Sequence, residues 1–170
     1  DVDCGDMKLR KASIDINDMV GRVVEVLKPK ADDKPITLKV EAHQTLPAID
    51  ADANRVIQAL GNVVENAIHF SPPGSDISIG AKATGDTVTI TVTDRGKGMT
   101  EEEIKIAGEA FRQVDASAAK EVYGLGLGLP LARMFIELHG GALEIESNPC
   151  TGTTVRMSLQ ATANGQDKGK

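Results

Sequence analysis

The chain has 170 residues, enough for one domain with a real core, alone or with a short appendage. Its 41% apolar and 26% charged residues make an ordinary globular balance and exclude wholesale disorder. A net charge of −6, with no Trp, one Tyr and three Phe, leaves no basic stripe for a phosphate backbone and no aromatic rows for base stacking. Nucleic acid is therefore not the expected partner.

Residues 1–12 are polar and without pattern, and read as a stub or connector. They hold neither the basic start nor the apolar run of a signal peptide. The longest apolar candidate, 125–138, is broken by Gly, Pro, Arg and Glu, short of the ~20 apolar residues of a membrane span. Cys4 and Cys150 are too far apart in sequence for a metal pattern and too few for a disulfide framework, which suits a reducing compartment.

Ser13 to Ile16 alternates like a short strand, and Asn17 is placed to cap a helix over about 18–28. Pro29 and Pro35 bracket the exit of that helix. Ile36, Leu38 and Val40 alternate as a strand, and 47–50 forms a second extended piece. From Asp52 to Phe70 the apolar period is helical, through Val56, Leu60, Val63, Val64 and Ala67, until Ser71-Pro-Pro-Gly74 stops it. Two alternating runs, 77–83 and 88–92, flank Thr84-Gly-Asp86 as a hairpin. A capped helix start follows at Thr100-Glu-Glu-Glu103, then an unpatterned stretch over 108–123. A helix over about 128–138 ends at Gly140-Gly141, two strands cover 142–147 and 153–159, and a small polar tail closes the chain. This order implies an α+β fold: a two-layer α/β sandwich whose mixed, mostly antiparallel sheet of about five strands is covered on one face by three helices.

Three constellations could carry chemistry. Asn62, Asn66 and His69 share one narrow face of the 52–70 helix, opposite most of its aliphatic positions. Stacked amides can offer oxygens to a hard cation and donors to phosphate, although such a triplet alone is more often a solvated face. Asp94-Arg-Gly-Lys-Gly98 sets a carboxylate at a strand end beside glycines that allow close backbone approach. That arrangement suits the exocyclic amine of a purine, or ordinary turn chemistry. Gly124-Leu-Gly-Leu-Gly-Leu129 feeds a helix N-terminus, where exposed N–H groups and the helix dipole favour an anion; a structural turn is the alternative. Neither a Walker loop nor a dinucleotide fingerprint fits these glycine spacings.

Taken in order, the motifs resemble the ATP-binding catalytic domain of sensor histidine kinases, in the superfamily of gyrase, heat-shock chaperone and mismatch-repair ATPases with the Bergerat-type fold. The asparagine box matches Asn62 to Gly74, the first glycine box Asp94 to Met99, the phenylalanine box Ala110 to Val114 and the second glycine box Gly124 to Leu129. His139-Gly-Gly141 and Thr151-Gly-Thr-Thr154 also stand where the family has them. The resemblance covers about residues 8–160, with 13–160 as the catalytic domain, 1–12 as the end of the preceding dimerisation helix and connector, and 161–170 as a disordered tail.

The resemblance implies ATP and Mg²⁺ as cofactors, with Asn66 ligating the metal and Asn62 beside it. Asn62, His69, Arg112 and Lys120 would be the groups closest to the transferred phosphate. Asp94 would accept the adenine amine, with Gly96, Gly98 and Met99 against the ring and Phe70 at the nucleotide. Phe111 would anchor a lid over 108–123, whose base, Gly124, Leu125, Gly126, Leu127 and Gly128, would meet the phosphates. Two departures bear on activity. Histidine kinases usually have lysine where this chain has His69, and threonine where it has Leu125; each change removes a polar contact to phosphate. The gyrase branch has a glutamate base where this chain has Asn62, and an amide cannot take a proton from water, so hydrolysis is expected to be slow. None of His43, His69 and His139 lies in the family's acceptor pattern, so the chain reads as a monomeric fragment that does not phosphorylate itself. Its implied partners are the dimerisation domain carrying the acceptor histidine and a response regulator, in the cytoplasm; membrane anchoring of the parent is left open. The rival readings are a degenerate kinase that only binds nucleotide, a hydrolysing ATPase and an anti-sigma serine kinase.

Overall fold

The computed structural model of the chain describes residues 10–41, 45–96, 128–148 and 152–161. The chain enters through β1 (Ala12–Ile14), and Asp15 then caps α1 (Ile16–Asp33) by accepting from the Asp18 N–H at 3.1 Å. The cap thus falls two residues before Asn17. α1 also continues through Pro29, whose ring removes one intrahelical donor, to a C-cap at Lys34. Burial of Leu27 and Ala31 on the core side, flanking Pro29, favours this continuation.

β2 (Thr37–Val40) and β3 (Ile49–Ala51) are short, and β3 runs through Asp52 straight into α2 (Ala53–Phe70). β4 (Asp76–Thr84) and β5 (Thr87–Asp94) form the expected hairpin. Helix α3 (Gly128–Leu138) precedes a second hairpin of β6 (Ala142–Asn148) and β7 (Gly152–Gln160).

Five strands make one sheet in the order β2-β4-β5-β7-β6, with β2–β4 parallel and the other pairs antiparallel. β1 and β3 stand apart as a two-stranded antiparallel ribbon, which long-range pairing creates and local pattern does not reveal. The period-2 alternation sends Ile77, Ile79, Val88, Ile90, Val92, Val155, Met157 and Leu159 to one face of the sheet. There they pack with Val20, Leu60, Val64 and Ile136 in one core under the three described helices. On the opposite face, Thr89 meets Ser158 and Thr93 meets Thr154, each at 3.3 Å, as cross-strand hydroxyl pairs. No described helix is long and apolar enough to cross a membrane. The helix start at Thr100, the 108–123 segment and both cysteines lie outside the described residues, as does all of the tail after Ala161.

Candidate functional site

The site is organised by α2 and the end of β5. Along α2, Val56, Leu60, Val63, Val64, Ala67 and Ile68 are buried, and the same 3.6-residue period leaves Asn62 and Asn66 half-buried and His69 exposed. Neither amide has a hydrogen-bond partner among the described residues. His69 contacts Phe70 edge-on, with ring centroids 4.8 Å apart and planes at 84°. Glu65 is ion-paired with Lys30 and leaves the stripe as surface charge.

Both ends of this helix are tied down. Asp52 caps the N-terminus: Oδ1 accepts from the Arg55 N–H at 3.3 Å, and Oδ2 from the Arg10 N–H at 2.9 Å. Burial alone raises the carboxyl, but these N–H donors and the Arg55 charge outweigh it and hold it below its usual 3.8. The Asp52 N–H in turn donates to His139 Nε2 at 3.0 Å, while His139 Nδ1 lies 2.7 Å from the Phe135 carbonyl. An N–H can only donate and a carbonyl only accept, which assigns His139 as the Nδ1–H tautomer. Arg55 lies 5.5 Å over the Phe135 ring, a second tie between α2 and α3. At the other end, Lys34 Nζ donates to the carbonyls of Ile68 (3.0 Å) and His69 (2.6 Å), satisfying two of the last acceptors of α2.

β5 places the carboxylate. Val88, Ile90 and Val92 point inward, and the alternation continues to Asp94, which is 5% exposed in a position patterned for an apolar side chain. Oδ1 accepts from the Gly96 N–H at 2.8 Å and the Thr153 N–H at 3.3 Å, leaving Oδ2 unpartnered among the described residues. Burial pushes this carboxyl up, against the pull of those two donors. Two glycines make the packing possible. A Cβ on Gly96 would lie 2.4 Å from the Phe70 carbonyl oxygen, and one on Gly152, whose φ is +100°, would lie 2.2 Å from the Asp94 carbonyl oxygen.

Asn62, Asn66, His69 and Phe70 therefore share one helix, and Gly96 packs the end of that helix against Asp94. Gly98, Met99, Phe111, Arg112, Lys120, Gly124, Leu125, Gly126 and Leu127 lie outside the described residues; Gly128 begins α3. Motif reading alone missed Lys34, Asp52, Ser71 and the N–H of Thr153. Of these, Asp52 carried a signal, an acidic residue directly before a helical run, while Lys34 and Thr153 act across long sequence separations.

A family model described as histidine kinase-, DNA gyrase B-, and HSP90-like ATPase matches residues 51–163. The chain belongs to this family. Within it, the chain is an ATP-binding catalytic domain of the histidine-kinase type. The sensor-like histidine kinase SenX3 of Mycolicibacterium smegmatis is 32% identical over 147 residues, 86% of this chain and 38% of that protein. The structure of full-length ShkA in complex with AMPPNP aligns at 27% identity with a TM-score of 0.76, over 92% of this chain and 32% of that one. Histidine kinase ThkA, solved with the response regulator TrrA, aligns at 25% identity and 0.71, over 89% of this chain and 42% of the other. The curated relatives are longer: the chain spans 16 to 38% of their lengths.

Proposed function

We propose that this domain binds Mg-ATP between α2 and the end of β5 and supplies the γ-phosphoryl group to a histidine on a separate dimerisation domain. The observation that carries the reading is the buried Asp94, whose Oδ2 has no partner among the described residues and suits the exocyclic amine of adenine. Asn62 and Asn66, unpartnered among the described residues on the neighbouring helix face, suit the triphosphate end. The Asn66 oxygen is a hard donor of the kind Mg²⁺ accepts, and an ion shared with phosphates and water needs few protein ligands. When bound, Mg²⁺ neutralises charge between the phosphates. The protein's own work is to hold the nucleotide in line, since phosphoryl transfer depends mainly on positioning and charge stabilisation.

By the family resemblance, Gly98 and Met99 complete the adenine side. Phe111, Arg112, Lys120 and the Gly124–Gly128 run form the lid side, with His69, Arg112 and Lys120 as the cations and donors nearest the transferred group. Residues 1–12 lead in from the dimerisation domain and 161–170 form a tail. The domain works in the cytoplasm as a monomeric unit and hands phosphate on to a response regulator; ThkA, a relative, has been solved with one. A second reading, a domain that binds nucleotide without efficient transfer, is favoured by His69 and Leu125 in place of the family's usual lysine and threonine. Titration of the 170-residue chain with Mg-ATP tests the first step: saturable binding at or below millimolar concentration is expected, and its absence overturns both readings. Adding a helical acceptor segment of the family with labelled ATP separates them. Robust histidine phosphorylation supports the kinase, and binding without label transfer supports the nucleotide-binding module.

A further inference from the structure

Ser71 closes α2 as its C-cap, its N–H donating to the Ala67 carbonyl at 3.0 Å. The side chain is another matter. Ser71 is 1% exposed, and its hydroxyl is the one buried side-chain polar atom among the described residues without a hydrogen-bond partner. A buried hydroxyl left unpaired is costly, so such a group calls for a partner that the described residues do not supply. Ser71 also lines a recess of about 460 Å³ together with Phe70, Arg95 and Gly96. That recess adjoins Asp94. The position a Cβ would take on Gly96 is 3.0 Å from the Phe70 carbonyl carbon, to which Ser71 is bonded, and 3.1 Å from Asp94 Oδ1.

Ser71 is thus linked through Gly96 to Asp94: the carboxylate, which only accepts, keeps Oδ2 unpartnered among the described residues, and the hydroxyl can donate. An adenine edge offers the complementary pair, an N6 amine that donates beside an N1 that accepts. Guanine offers the reverse, a carbonyl O6 beside an N1–H. We propose that Ser71 is a specificity-determining residue of the nucleotide site, its hydroxyl donating to N1 of adenine, directly or through one water, while Asp94 takes the N6 amine. This rests on the ATP-binding reading above and adds to it the second half of base recognition. Ser71→Ala removes a group that contributes nothing favourable to the unliganded fold, so the nucleotide-free chain keeps its stability or gains some.

The test compares Ser71→Ala with the unaltered 170-residue chain, using ATP, 1-deaza-ATP (which lacks the N1 acceptor) and GTP as ligands, with a thermal melt of each protein alone. The expected result is a loss of about five- to tenfold in ATP affinity, no loss toward 1-deaza-ATP or GTP, and an unchanged or higher melting temperature, in line with one hydrogen bond. An equal loss toward ATP and 1-deaza-ATP, no loss at all, or a lower melting temperature overturns the assignment to Ser71 while leaving ATP binding intact. Failure of the unaltered chain to bind ATP overturns the nucleotide reading and this inference with it.

Discussion

Asp94 occupies a position that the alternation of β5 reserves for an aliphatic side chain; the Gly96 and Thr153 N–H groups hold its Oδ1, and Oδ2 has no partner among the described residues. Because burial raises this carboxyl above 3.8, its ionised form costs the unliganded fold some stability at neutral pH, a cost relieved as pH falls through the raised value. The same titration acts on the ligand with opposite sign, since only the carboxylate accepts an amine. Nucleotide affinity is therefore expected to decline on acidification at a pH above the usual aspartate range. Asp94→Asn is expected to lower ATP affinity by about 10- to 100-fold through loss of a charge-assisted bond, without lowering the melting temperature of the unliganded chain. Calorimetric titration across pH, with melts of both proteins, checks this; an affinity unchanged in Asp94→Asn would remove Asp94 from base recognition.

At the scale of elements, α2 matters because it is held at both ends, by Asp52 with Arg10 and His139 at one and by Lys34 at the other. The Asp52 carboxyl is held below 3.8, so its contribution is present above the unfolded-state value and is lost as pH falls through the lower, folded one. Asp52→Ala is expected to cost about 1–2 kcal/mol at pH 7, the range for a lost N-cap. The deficit should shrink below about pH 3.8, where the carboxylate is being titrated in the unaltered chain as well. Chemical denaturation of both proteins at neutral and acid pH reads this out, and a deficit that persists unchanged in acid would assign the effect to packing. This helix was legible in the sequence, with its cap, period and Pro-Pro-Gly stop all local signals. The length of α1 was not, because Pro29 reads as a stop and the burial of Ala31 beyond it depends on tertiary packing. The motif residues on α2 and β5 were legible as types in order. The groups that position them, Lys34, His139 and the Thr153 N–H, reach their partners across 34 to 87 residues, and no local pattern carries that information.

In the whole molecule, α2 is the member that joins everything. It follows directly from the β1–β3 ribbon where the chain comes in, packs between α1 and α3, and ends against the strand that carries Asp94. A ligand bound to α2 and β5 together stabilises that assembly as a unit, and by mass action a nucleotide at 100 times its Kd adds about 2.7 kcal/mol. For a chain of this size the melting temperature should then rise by about 5–10 °C. On the proposed function, how long the rise lasts turns on Asn62. With an amide where the hydrolysing branch has a carboxylate base, water at the γ-phosphate has no group at that position to take its proton. ATP should remain intact, and the thermal shift measured after an hour with ATP should match that at mixing and that with a non-hydrolysable analogue. Phosphate release followed in parallel decides the matter. Stoichiometric release within the hour, with the shift decaying toward that of ADP, would place this chain with the hydrolysing ATPases, whereas a stable shift without release is the behaviour of a domain that holds ATP for an acceptor brought to it.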